Sequence, residues 1–439
     1  LTGTSSQNAE DNTAVGFSAL IGAYGNYNTA VGSQAGYSIT SGDGSTLIGY
    51  KAGYGITTAA ANTIIGYQAF TTNTNTSAGY NTVMGYQAMQ NGNSHAGKNV
   101  VIGYQSGQEL TQGDGNVIAG YWAGNKLTTG GYNTLLGYQA FYLHTTGTRN
   151  VAVGSYIARD TDAGTDSLNS SDNIFIGDGV GDGTWADAES NKNIAIGTDA
   201  LDANLNGALN NVGIGYQAFT ALTSADENTA VGSESGAGII TGSYNSLLGY
   251  RAGKGITTGY GNCVIGREAL QGDGSDGCTE NVIIGYTAGK NASWAGDKCV
   301  IIGASASQGA LTSAADGTIA IGYQAGNDIT SGEKNTIIGY NAADALTTGG
   351  RNTIIGYDAL TAADGTESFN IAIGELAMAS VNHDGADENI AIGFNALRGG
   401  SGEVDRCVAI GTYALDSTAH HDHTGSIAIG GNALEDLTS

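Results

Sequence analysis

Along this chain an asparagine, one small or β-branched residue, two apolar residues and a glycine recur with polar stretches between them. The element reads NTAVG at 12–16, NTIIG at 62–66 and at 352–356, and NIAIG at 193–197 and at 389–393. With its glycine as a mark, 24 copies run from Gly16 to Gly430 at a mean spacing of 18 residues. A fixed period of this length predicts a solenoid, in which each repeat forms one coil stacked on the last. The expected fold is all-β, a parallel β-roll or β-solenoid of about 24 coils.

The apolar pair says how each strand sits. The residue directly before the glycine is apolar in every copy, as in Val15, Ile65, Ile102 and Ile338, and so, Gly213 aside, is the one before it. A strand with one wet face alternates apolar with polar residues, whereas a strand covered on both faces reads as an unbroken apolar run. The expectation is that residues such as Ile338 line a dry lumen and that the opposite face is covered by another copy of the chain.

Other columns follow from the same ruler. Three residues after the glycine stands Ala in 20 copies, which implies close approach of an opposing wall. About seven residues after it comes a second apolar site, such as Ile39, Leu127 or Ile329. Four residues before it Asn fills 19 copies, among them Asn62, Asn81, Asn99, Asn133, Asn335 and Asn352. Stacked Asn side chains bond from rung to rung, and Asn tolerates the left-handed backbone a corner demands, so this column reads as a structural ladder.

Composition narrows the picture. The repeats make residues 8–439 one continuous domain after a lead-in at 1–7, with irregular long-loop coils at about 155–197. The 73 glycines, absent proline and 40% apolar content exclude both collagen-like and disordered chains. A net charge of −25 argues against nucleic-acid partners and anionic membranes, and no run of apolar residues is long enough for membrane insertion. Of the four cysteines, only Cys278 and Cys299, one coil apart, are expected within disulfide reach.

The motifs NTAVG, NIAIG and SIAIG (426–430) resemble the head repeats of YadA-like trimeric autotransporter adhesins and, equally, repeats of bacteriophage tail fibres. The likeness covers nearly every coil. It implies a left-handed roll, a homotrimer about a common axis, no catalytic residues, and attachment to host surfaces through glycan or protein.

Candidate binding chemistry is sparse. Tyr follows the glycine in 12 copies, with an unbroken run at Tyr50, Tyr67, Tyr86, Tyr104, Tyr121 and Tyr138, which reads as an aromatic ladder or as a platform for glycan rings. The period stretches around Gly177, where oxygen-rich loops carry Asp178, Asp182 and Asp187, suited to Ca²⁺, and Trp185, a candidate partner contact. His420, His421 and His423 suit a transition metal, or form a solvated turn. No nucleophile–base set, phosphate loop or nucleotide fingerprint emerges, so the expectation is a protein that is not an enzyme and needs no cofactor. The leading expectation is an extracellular fibre or adhesin shaft, on a virion or a cell-surface appendage; the alternative is a subunit of a filament joined end to end. A glycan-cleaving tailspike or an ice-binding solenoid finds less support, lacking an aligned carboxylate groove and an unbroken Thr array.

Overall fold

The computed structural model describes residues 9–71, 78–92, 95–159, 169–185, 188–272, 277–290, 294–400, 404–417 and 423–435. Two compact units divide the chain, Leu1–Ser224 and Ala225–Ser439. Each is a parallel β-solenoid with one short strand per coil, and no α-helix occurs among the described residues. In the first unit the ladder runs from Thr13–Val15 to Val212–Ile214, and in the second from Thr229–Val231 to Ile427–Ile429. Pairing is in register on the repeat: Thr63, Ile64 and Ile65 face Thr82, Val83 and Met84. The longest strands, Val151–Ser155 and Ile174–Asp178, pair across the long insertion. In the second unit Val404–Asp405 and His423–Thr424 add a small second ladder.

Why the marker residue is glycine is plain from the backbone. At Gly356 φ is +154°, and a Cβ there would lie 2.2 Å from the carbonyl oxygen of Gly374 in the next coil. No side chain fits such a conformation and such a contact. Two positions further on, and again at four, the chain is left-handed, as at Gln68 (φ 52°) and Phe70 (φ 47°). Each strand therefore ends in a tight reversal that brings the following Ala back to the wall.

The lumen is lined by the middle residue of each strand, not by the last. Ile337 is fully buried while Ile338 is half-exposed, and the same holds for Leu47 against Ile48 and Val83 against Met84. This corrects the expectation that the residue before the glycine faces inward. Side chains alternate along a strand, so in a three-residue strand only the central one points in. A size pattern marks the difference: the central column mixes Ala30, Leu47, Ala152 and Phe175, because neighbouring columns share one lumen volume. Where Gly53 leaves room, Ile56 fills it, and where Phe70 and Met89 are large, Gly92 yields, a Cβ there lying 2.4 Å from the Phe70 ring. Such compensation keeps the interior at close packing.

The Asn ladder forms as expected, and its geometry is directional. Asn81 Oδ1 accepts the Asn99 backbone N–H at 2.9 Å, and its Nδ2 donates to the Ala96 carbonyl at 3.0 Å. Asn99 does the same to Asn116 and Gly113, Asn133 to Asn150 and Ser170 is taken by Asn150, and Asn335 and Asn352 repeat it in the second unit. Asn62 likewise accepts the Asn81 N–H. The left-handed residue is the one before each Asn, such as Ala61, Tyr80 or Lys98, rather than Asn itself. Where Asn is replaced, the substitute keeps part of the clamp: Thr318 Oγ1 donates to the Gly332 carbonyl, and Cys407 Sγ to that of His423.

All four cysteines are free, which corrects the Cys278–Cys299 pairing. Cys278 stands at the corner position whose carbonyl accepts from Asn262, while Cys299 stands in the Asn column and donates its backbone N–H to Asn281 Oδ1. Being one coil apart does not bring them together, because they belong to different columns. Burial pushes the Cys299 thiol up to about 11.

Candidate interaction face

Because the central strand residue points inward, its two neighbours point out. The outward columns hold Thr, Val or Ile at the strand start, with Ser246 and Cys263 as exceptions, and Val, Ile, Leu or Met at its end, with Ala119 as the exception, and no residue in either column is charged. In a chain with a net charge of −25 this exclusion is specific to one face. The aliphatic column is accessible throughout, with Met84 42% and Leu248 50% exposed.

Beside it runs the tyrosine column. Tyr50, Tyr67, Tyr86, Tyr104, Tyr121 and Tyr138 stack at centroid separations of 5.2, 5.1, 5.1, 4.9 and 5.5 Å, nearly parallel. Tyr323, Tyr340 and Tyr357 repeat the arrangement in the second unit. Rings stacked on one another have their faces occupied, so they offer edges and hydroxyls outward; the geometry is that of a ladder and not of a face-on platform for sugar rings. Next to the rings, Gln87 Nε2 donates to Gln68 Oε1, Gln105 Nε2 to Gln87 Oε1, and Trp122 Nε1 to Gln105 Oε1. Desolvation, with the neighbouring Tyr104 and Tyr138 phenols, holds the Tyr121 phenol above its ordinary value. Tyr86→Ala, which removes two stacked pairs, is expected to cost about 2 kcal/mol without loss of the fold. Tyr286→Ala, whose column neighbours are Arg267 and Ala304, should cost less; denaturant titration of both variants checks this.

Trp185 is not on the surface. It is fully buried in the lumen, with Nε1 donating to the Gly181 carbonyl at 2.8 Å and its ring edge-on to Phe175 and His144. The acidic stretch around it suggested a solvated loop, but Trp185 occupies the second apolar site after Gly177, and that spacing was the signal for burial. His144 stands in the same column, seven residues after Gly137, packed edge-on to Phe141. Its Nε2 lies 3.0 Å from the Ser170 carbonyl, which makes it the donor, and burial pushes its pKa down to about 4.

Of the proposed metal ligands, Asp178, Asp182 and His423 lie within the described residues. Asp178 is exposed at a strand end, and Asp182 pairs with Arg159 at 3.2 Å. Burial first, then the Asp199 and Asp182 carboxylates, pushes Asp202 up to about 6. His423 is buried in the small ladder, whereas Asp187, His420 and His421 lie outside the described residues. Among the described residues no group of three or more His, Cys, Asp or Glu is arranged to hold a metal ion, and no helix is long and apolar enough to cross a membrane. Function must therefore be read from the geometry of the outward face, because the chain matches no model of a known protein family and no curated protein.

Proposed function

We propose that the chain is a structural shaft of an extracellular attachment fibre, of the tail-fibre or adhesin-head kind, that performs no catalysis and associates with copies of itself, as a homotrimer. The observation that carries this reading is the uncharged aliphatic column, partly or fully exposed in coil after coil. Long apolar surfaces on an otherwise acidic protein are costly to leave in water, and a repeating surface is covered most simply by a repeating partner. The resemblance of NTAVG and NIAIG to adhesin and tail-fibre repeats supports the same conclusion.

The test is solution mass by light scattering. The expected value is three times the 44.1 kDa chain. Ile338→Asp with Ile355→Asp places two carboxylates in adjacent coils of the outward column, where burial against another chain would leave them unpaired. The double variant is expected to run as single chains with an unchanged far-UV circular dichroism spectrum. A wild-type chain that is a stable monomer overturns the reading.

A further inference from the structure

At the corner that precedes each strand, two depressions share one composition, one in each unit. The first, of about 430 Å³, is lined by Tyr80, His95, Lys98, Gln112 and Asp114 around Gly97. The second, of about 380 Å³, is lined by Ser331, Glu333, Thr348, Arg351 and Phe369 around Gly350. On the repeat ruler the central coils coincide, with a polar residue eight before the marker glycine (His95, Thr348), a glycine six before it, and a cation five before it (Lys98, Arg351). One flanking coil supplies an exposed aromatic ring and the other a carboxylate. Their order is reversed: the ring comes from the preceding coil at Tyr80 and from the following coil at Phe369.

We infer that these two corners are saccharide subsites, each suited to an uncharged, hydroxyl-rich ring. Tyr80 is 68% and Phe369 51% exposed, and neither is stacked on another aromatic ring among the described residues, so they have surface to offer the C–H face of a sugar. Asp114 is oriented by the Gly97 N–H, which its Oδ1 accepts at 2.7 Å, and a carboxylate has further lone pairs for a ligand hydroxyl. Glu333 is bonded by Arg351 at 2.6 Å and by Lys334 at 2.7 Å, and the Arg351 guanidinium lies over one face of the Phe369 ring at 5.4 Å from its centroid, so the second corner presents fixed donors and acceptors beside the ring. At the second corner both cations are already engaged by Glu333, which leaves hydrogen-bonding groups suited to a neutral polyol. The volumes fall at the small end of the range for ligand sites, room for about one or two sugar rings.

The inference rests on the attachment reading in giving the shaft something to hold, and its test is separate from the mass measurement. Saturation-transfer NMR on the full chain would use the methyl glycosides of glucose, galactose, mannose and N-acetylglucosamine at millimolar concentration. At least one is expected to receive saturation. Tyr80→Asn or Phe369→Asn alone should remove about half of the signal, and the double variant nearly all of it, because the sites are independent. Asn suits these positions, where φ is 63° and 61°, since it accepts a left-handed backbone. Tyr244→Asn, an equally exposed ring of the same column, should leave the signal unchanged. No transfer from any of the four glycosides to a folded wild-type chain, or transfer unaffected by the double variant, overturns the inference. With the trimer mass intact, either result removes the subsites and leaves the shaft reading standing.

Discussion

The Ile337→Asp chain is expected to lose its solenoid structure locally, at a cost of about 4 kcal/mol or more, whereas Ile338→Asp leaves the coil in place. The two residues are neighbours of the same type and differ in where they point. Ile337 is fully enclosed by the lumen, where a carboxylate finds neither water nor a cation, and Ile338 is half-exposed. Because each coil touches mainly its neighbours, damage from Ile337→Asp should be greatest in the coils that hold Ile321 and Ile355 and fade beyond them. Amide hydrogen exchange resolved by peptide would read this directly. Equal loss of protection in both variants would mean that the strand has no inward and outward side.

A second large effect is expected from acid. His144 is neutral and buried, with a folded pKa of about 4 against an ordinary 6.5. The unfolded chain therefore binds a proton that the folded chain refuses, so the folded state is at its full stability above about pH 6.5 and loses ground as the pH falls toward 4. The loss amounts to about 3 kcal/mol. Asp202 acts in the opposite sense: its folded pKa is raised to about 6, so the folded chain binds the proton more readily and gains as the pH falls. The two trends overlap in the native chain. His144→Leu separates them, since Leu is the residue found at this column in Leu127, and the Ser170 carbonyl keeps its bond from Asn150. The difference in unfolding free energy between wild type and His144→Leu should be flat above pH 7 and should favour His144→Leu increasingly between 6.5 and 4. A pH-independent difference would place His144 in contact with water.

A repeat encodes some quantities and hides others. Period, register and the Asn ladder were legible, because each depends on recurrence alone: Asn62, Asn81 and Asn99 bond where equal spacing puts them. The inward side of the strand was not legible from polarity, since both outer and inner residues are apolar, one for the lumen and one for the face that the proposed partner covers. Residue size carried the missing information, with Ala30 and Phe175 in one column and compensating neighbours in others. Trp185 was misread because its acidic surroundings outweighed its position on the ruler, and the cysteines because coil number was counted without column. The corner depressions had no local motif at all. Each is assembled from three coils, and its aromatic, glycine and acid lie some 17 residues apart in the chain.

The side-chain oxygen of a ladder Asn accepts from the coil after it, and this has a consequence for how the molecule is made. Asn81 holds both sides of the following corner, at Ala96 and Asn99, so a finished coil presents a preset acceptor and donor to the coil that comes after it. A chain synthesised from its N-terminus meets these groups in the right order, each new coil docking on a template already complete, with only one coil's worth of loop to close. Growth in the opposite sense would require every corner to form before the side chain that secures it. The solenoid is in this respect a vectorial structure, one whose assembly has the same direction as its translation.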